Sequence, residues 1–317
     1  MSGSTGDPIR EGRRFTRRFL VALTALLGLG SSACARQTPS AQALLRARPG
    51  RQVAVTIDDL PIANPSLYRT AQERRRCVEG LTALLRARRL PATGFFNLSM
   101  NERHPSLLGL WQEAGVQLGN HTWSHPRLEE VGLAAYVADL EQGHAALQAL
   151  LPAGTVIPFR YPFLVEGLTV AERDRIREVL RALKSPIAPV TIDASDWLYA
   201  RGHQRAVASG DTTRRELQRR SWRWNLEEST LLAEHWSRAL FGREPPQILL
   251  LHGNCLNADH LGEYLDWLTA RGYTFVTLDA ALRDPAYAEP DRSTSPTGDS
   301  HWLRLWRSRS LGATGAR

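Results

Sequence analysis

The stretch that decides the fold is Q-V-A-V-T-I-D-D-L-P, Gln52 to Pro61. Val53 to Ile57 is a short apolar and β-branched run, bounded by a turn signal at Leu60-Pro61, and reads as a buried strand. It ends in two carboxylates, Asp58 and Asp59. Outward from it, short β-type runs alternate with helical stretches. The runs at 92–97, 116–119, 155–159, 188–192, 248–251 and 274–278 read as strands. Between them, 68–88, 106–114, 133–151, 169–183 and 261–271 carry helical spacing. Strand–helix alternation implies a parallel sheet with helical crossovers. About seven such units favour a distorted (β/α) barrel over an open sheet. Residues 203–246 break the alternation and read as one or two inserted helices ahead of the strand at 248.

The unusual polar residues fall at the C-terminal ends of these strands. Asp58 and Asp59 follow the first, His121 and His125 the third, Arg160 the fourth, Asp193 and Asp196 the fifth, and His252 the sixth. In a (β/α) barrel that is the catalytic rim. Taken singly, each has a bland reading: Asp-Asp before Leu-Pro as a turn, the two histidines as surface residues, Arg160 as a surface arginine in a proline turn. Taken together they form a constellation. His121 and His125 are spaced i, i+4, so a helical or tight-loop backbone turns both imidazoles to one side. With one carboxylate they make a facial His₂Asp set that leaves positions open for water and substrate. Arg160 is suited to a bidentate carboxylate pair. Pro162 fixes a turn that presents the backbone N–H of Phe163. A carboxylate near His252 would orient its ring and raise its pKa, making it a general acid.

Five segments in order, T-I-D-D (56–59), H-T-W-S-H (121–125), R-Y-P-F (160–163), D-A-S-D-W (193–197) and I-L-L-L-H (248–252), resemble the motifs of the polysaccharide deacetylases of carbohydrate esterase family 4, the NodB homology domain. The resemblance covers roughly residues 51–280. It implies a divalent metal, most often Zn2+ with Co2+, Mn2+ or Ni2+ as alternatives, held by Asp59, His121 and His125. It further implies Asp58 as an ionised general base steadied by Arg160, and His252 as the general acid tuned by Asp196. Trp197 and Leu250 would form apolar groove walls, and the Phe163 N–H would face the oxyanion. The implied substrate is an acetylated carbohydrate or cell-envelope glycan, with N- versus O-acetyl left open. Leu60 stands where the family has Gly, and Phe163 where it has Tyr. Two other readings compete: a hydrolase of a non-sugar amide on the same fold, and a non-catalytic envelope glycan-binding protein.

The 317 residues, 43% hydrophobic and 23% charged, exclude wholesale disorder and a coiled-coil rod. The formal charge of +8 is carried by Arg, with Lys184 the single Lys. No basic stripe is interleaved with aromatics, which argues against nucleic acid. Residues 1–35 carry a basic start, the apolar run Phe19 to Gly30, and small residues Ser31 to Ala35, the pattern of an export signal. Removal leaves no transmembrane span and takes five Arg and two acids with it, leaving a charge of +5. Plain cleavage after Ala35 into periplasm or medium, a lipid anchor on Cys34, and a twin-arginine route are the versions of export in view. Residues 36–50 read as a linker, 51–283 as the catalytic domain, and 284–317 as an extension packing back on the barrel or partly disordered. Cys77 and Cys255 remain as a disulfide or as two separate thiols.

Overall fold

The computed structural model describes residues 48–314 apart from Ser295 and Thr297. The export signal, Cys34 and most of the 36–50 linker lie outside the described residues. The architecture is α/β. Six strands are all parallel: β1 (Arg51–Leu60), β2 (Ala92–Phe96), β3 (Gln117–Asn120), β4 (Ile192–Asp193), β5 (Gln247–His252) and β6 (Tyr273–Val276). Their order is β3-β2-β1-β5-β4, with β6 paired to the first half of β1. β1 is central: β5 lies along one edge from Val53 to Asp58, and β2 takes the other from Val55. Val53, Ala54, Val55 and Ile57 are all buried, as expected of the central strand of a parallel sheet covered on both faces.

The helices are α1 (Ala71–Ala87), α2 (Leu98–Arg103), α3 (Pro105–Glu113), α4 (Leu128–Leu150), α5 (Val170–Ala182), α6 (Asp196–Ser209), α7 (Thr212–Phe241), α8 (Cys255–Ala270), α9 (Leu278–Leu282) and α10 (His301–Thr314). Thr70, Thr169, Asp211, Asn254 and Thr277 cap their helices through side-chain oxygens. None among the described residues is long and apolar enough to cross a membrane.

The expected strands at 155–159 and 188–192 do not form as ladders. Phe159 makes isolated parallel bridges to Asn120 and to Ile187, and β4 is two residues long. Pro158 and Pro189 have no N–H to donate, so neither run can sustain a ladder. The backbone still turns its groups around that side. Asn120 donates to the Pro158 carbonyl, Ala188 to Phe159, and Thr191 to Ile248. The helical segment begins at Asp196 rather than 203 and consists of two helices.

The far end of the chain is anchored by Trp302, fully buried, whose Nε1 donates to Gln247 Oε1 at 2.9 Å and whose ring meets Phe241 and Tyr287. Cys77 on α1 and Cys255 on α8 are joined as a disulfide, their Cα atoms 4.6 Å apart.

Candidate active site

The C-terminal ends of β1, β3 and β5 meet on one rim. Asp58 and His252 are register partners on the adjacent strands β1 and β5, so they lie about one strand spacing apart. Pleating would turn Asp59 away from Asp58. Asp59 instead takes φ 59°, where the register of β1 against β2 slips, and both carboxylates face the same imidazole. Asp58 Oδ2 lies 3.8 Å and Asp59 Oδ1 3.7 Å from His121 Nε2.

His121 leaves β3 and enters a tight loop with Thr122 at φ 65° and His125 at φ 59°. That loop brings His125 Nε2 to 3.3 Å from Asp59 Oδ1. Three supports fix it. His121 Nδ1 donates to the Arg160 carbonyl at 2.8 Å, which leaves Nε2 as the electron-pair donor toward Asp59. Asn97 donates to the His121 carbonyl at 2.6 Å. Gly143 on α4 lets that helix come close beneath: a Cβ there would stand 2.5 Å from Asn120 Oδ1 and 2.7 Å from the Thr122 carbonyl carbon. Asp59, His121 and His125 are thus one carboxylate and two imidazoles with donor atoms within 4.8 Å of one another. Their chemistry fits a zinc-type cation.

Arg160 is fully buried, but it does not clamp Asp58 in a bidentate pair. Its Nη1 stays 3.8 Å from Asp58 Oδ2, while Nη2 donates to Thr56 Oγ1 at 2.9 Å. Asp58 Oδ1 is buried without a hydrogen-bond partner. Burial therefore pushes Asp58 up to about 6, and Arg160 and His252 only partly oppose it. Arg160 alone does not keep this carboxylate in the ordinary range. Burial works against charge on Asp59 too, but the imidazoles of His125, His252 and His121 outweigh it, and Asp59 lies below its usual value.

His252 ends β5. Its Nδ1 donates to Asp196 Oδ1 at 2.7 Å, and its own N–H donates to Asp196 Oδ2 at 3.0 Å. Burial disfavours its charge, but Asp196, with Asp59 and Asp58 behind it, raises His252 to about 10. His121, held by a carbonyl rather than a carboxylate, is driven down to about 3, chiefly by burial and then by His125.

Asp196 is fully buried and accepts two further bonds, from Asn254 Nδ2 at 2.6 Å and Asn257 Nδ2 at 2.5 Å. Sequence reasoning missed these two asparagines. The signal was present: Asn254 followed by a helical stretch is an N-cap, and the cap sits two residues beyond His252. Asp193 turns away and accepts from the Ser195 N–H at 2.8 Å, so it shapes the turn that delivers Asp196.

Phe163 is 40% exposed at φ 56°, its ring edge-on to His125 with Arg127 above it at 4.0 Å. Trp197 is 42% exposed beside the rim. Leu250 does not line an open wall. It is buried one pleat below His252, on the same face as Thr56 and Asp58, and floors the site. Leu60 packs downward as well. Its methyls occupy the space where a Cβ at Gly94 or Gly253 would stand, 2.5 and 2.6 Å away. Two glycines therefore accommodate the leucine that departs from the motif.

Residues 46–184 match the family described as Polysaccharide deacetylase. Chitin deacetylase 2 of Saccharomyces cerevisiae is 28% identical over 144 residues, which is 44% of this chain. The chain spans 41% of the length of that yeast relative. Among solved structures, a polysaccharide deacetylase from Bacillus cereus superposes with a TM-score of 0.51 at 16% identity, over 72% of this chain and 91% of that one. A mutant of a carbohydrate esterase family 4 pseudoenzyme, with restored enzymatic activity, gives 0.51 at 16% identity, over 75% and 70%. The wild-type pseudoenzyme, from Bacillus anthracis, gives 0.50 at 14%, over 75% and 67%. At these identities the superpositions speak for the fold.

Proposed function

We propose that this chain, a polysaccharide deacetylase by family, is an exported metal-dependent hydrolase that removes acetyl groups from a carbohydrate substrate. The observation that carries this reading is the convergence on one rim of two imidazoles and a carboxylate with a second carboxylate and a differently partnered histidine. Asp59, His121 and His125 would hold the metal. When bound, a zinc-type ion polarises a carbonyl and lowers the pKa of water.

The remaining steps belong to the protein. Asp58, ionised, accepts the proton of the attacking water as its oxygen bonds to the acyl carbon. The Phe163 N–H is offered to the developing oxyanion. His252 enters protonated and gives its proton to the departing nitrogen as the C–N bond breaks, so acetate and a free amino sugar result. Asp196 keeps that proton on Nε2 by accepting from Nδ1. The nearness of Asp58, Asp59, His121 and His125, with His252 the register partner of Asp58, supports this reading over a purely glycan-binding role. Phe163, edge-on to His125, and Trp197, next in sequence to Asp196, are both exposed and would offer flat apolar surfaces to a sugar ring.

Acetate release from a panel of N-acetylated and O-acetylated glycans, with and without chelator, tests this reading. We expect release that chelator abolishes and added zinc restores, together with loss of activity by about 10³-fold or more in His121→Ala, the scale of several kcal/mol of charge stabilisation. Release that is indifferent to both would refute it.

A further inference from the structure

A second group of metal-ligand side chains lies on the helices outside the rim, formed by His203 on α6 and Asp259 and His260 on α8. We propose that His203, Asp259 and His260 form a second, structural cation site of the zinc class that clips α6 to α8.

The donors are arranged for it. His203 is fully buried, and neither of its ring nitrogens makes a hydrogen bond. A buried imidazole without a partner is costly, and native structures leave few such groups unexplained. Its Nε2 lies 3.4 Å from Asp259 Oδ2 without hydrogen-bonding to it. The other oxygen of that carboxylate, Oδ1, accepts from Arg76 Nη1 at 2.9 Å. Asp259 is therefore oriented by one oxygen and available through the other. His260 stands perpendicular to His203 with ring centroids 5.4 Å apart. Its Nδ1 lies 3.5 Å from Glu263 Oε1, and its buried Nε2 has no hydrogen-bond partner. A carboxylate behind one ring nitrogen with the other facing inward is the arrangement that orients metal-binding histidines. Glu263 is itself held by Arg219.

The donor atoms of the three residues lie within 4.8 Å of one another. Tetrahedral zinc with bonds of about 2.0–2.1 Å needs donors roughly 3.4 Å apart, so small side-chain rotations close the set around an ion. Two imidazoles and one carboxylate favour zinc over magnesium or calcium, which take oxygen ligands. A water would complete the fourth position. Arg76 and Arg219 oppose a cation nearby, which argues for a site weaker than a four-ligand zinc finger.

The location gives the site a purpose. Asp196, which orients His252, begins α6, and His203 lies two turns further on, about 10 Å along the axis. Asn254 and Asn257, which hold Asp196, open α8, two to six residues before Asp259 and His260. The disulfide already ties α8 to α1 at Cys255. A cation between His203 and His260 would tie α8 to α6 on its other side, so both helices that build the Asp196 pocket would be fixed below it.

The test counts zinc bound to the dialysed full chain in wild type, His121→Ala, His260→Gln and Asp259→Asn. His260 and Asp259 are chosen because they are partly exposed and their replacement leaves the core intact, which circular dichroism verifies. We expect two equivalents in the wild type and one each in His260→Gln and Asp259→Asn. His121→Ala should lose the other equivalent and keep this one. Unchanged stoichiometry in both His260→Gln and Asp259→Asn overturns the second site. Unchanged stoichiometry in His121→Ala alone would refute the rim ligand set and leave this one standing.

Discussion

Both ends of β1 bury charge, and they handle it differently. At its start, Arg51 is buried beside the fully buried Glu234. Arg51 Nη2 meets Glu234 at 3.1 Å and Nε meets Glu244 at 2.6 Å, while Arg271 Nη2 and Tyr273 OH also reach Glu234, at 2.8 and 3.1 Å. At its end, seven residues on, Asp58 is just as buried, yet its ion pair with Arg160 is a loose 3.8 Å and one of its oxygens has no hydrogen bond. In the first arrangement both Glu234 oxygens are paired, and it serves stability. The second leaves lone pairs and a raised pKa, which is costly to the fold and useful to a base. In a (β/α) architecture the two ends of a strand divide in this way between stability and chemistry.

Asp58→Asn breaks the comparison most strongly. The amide keeps the shape and removes the proton acceptor, so kcat should fall by about 10²–10⁴. Metal content should stay, because Asp59 and not Asp58 is the proposed ligand. The melting temperature should hold or rise, since an uncompensated buried carboxylate is gone. A calorimetric scan beside the kinetics decides it. A stability loss comparable to the activity loss would make Asp58 structural.

Glu234→Ala is the mirror experiment. It takes a shared partner from Arg271 and from Arg51, which keeps Glu244, and should cost part of the roughly 3–5 kcal/mol that breaking a buried ion pair costs. The folded fraction that remains should show an unchanged pH–rate profile. A shift in that profile would mean that the two ends are coupled.

Asp196→Asn comes third and acts through pH. Asp58 must be ionised, so activity rises as pH climbs through about 6. His252 must be protonated, so activity falls as pH rises through about 10. Without the Asp196 charge only Asp59 and Asp58 oppose burial at His252, so its pKa should fall. The alkaline limb should move down, and the maximum rate should drop about 10–100-fold. An alkaline limb that stays in place would assign it to another group.

The rim residues were legible because chemistry-bearing side chains recur at the ends of apolar runs, and a strand end is readable locally. β1, β2 and β5 were legible for the same reason. The wall near Phe159 and Ile187 was not: its apolar content looks strand-like, and only the pairing partners reveal that Pro158 and Pro189 reduce it to single bridges. The loose contact of Arg160 was hidden too, because Thr56, two residues before Asp58 on β1, competes for the guanidinium. The union of Cys77 with Cys255 depends on helices 178 residues apart in sequence meeting in space.

Asn257→Ala should give the smallest effect, and its value lies in the sign of the pH response. Asn257 Nδ2 donates to Asp196 Oδ2 and also to the His252 carbonyl, at 2.8 Å. After truncation, that carboxylate oxygen still accepts from the His252 N–H and from Asn254. Asp196 therefore stays in place, with one fewer donor drawing on its charge. It becomes a better acceptor for His252 Nδ1, so the His252 pKa cannot fall on this account. The alkaline limb should hold or move slightly upward, opposite to Asp196→Asn. The rate should still drop, by about tenfold or less, because a carboxylate held by fewer bonds orients the ring less strictly. That ceiling matches one hydrogen bond to a charged group, about 1.5–3 kcal/mol, shared between folding and positioning. A downward limb shift would show that Asn257 sustains the charge itself, and the saturated pocket around Asp196 would then belong with the chemistry of the rim.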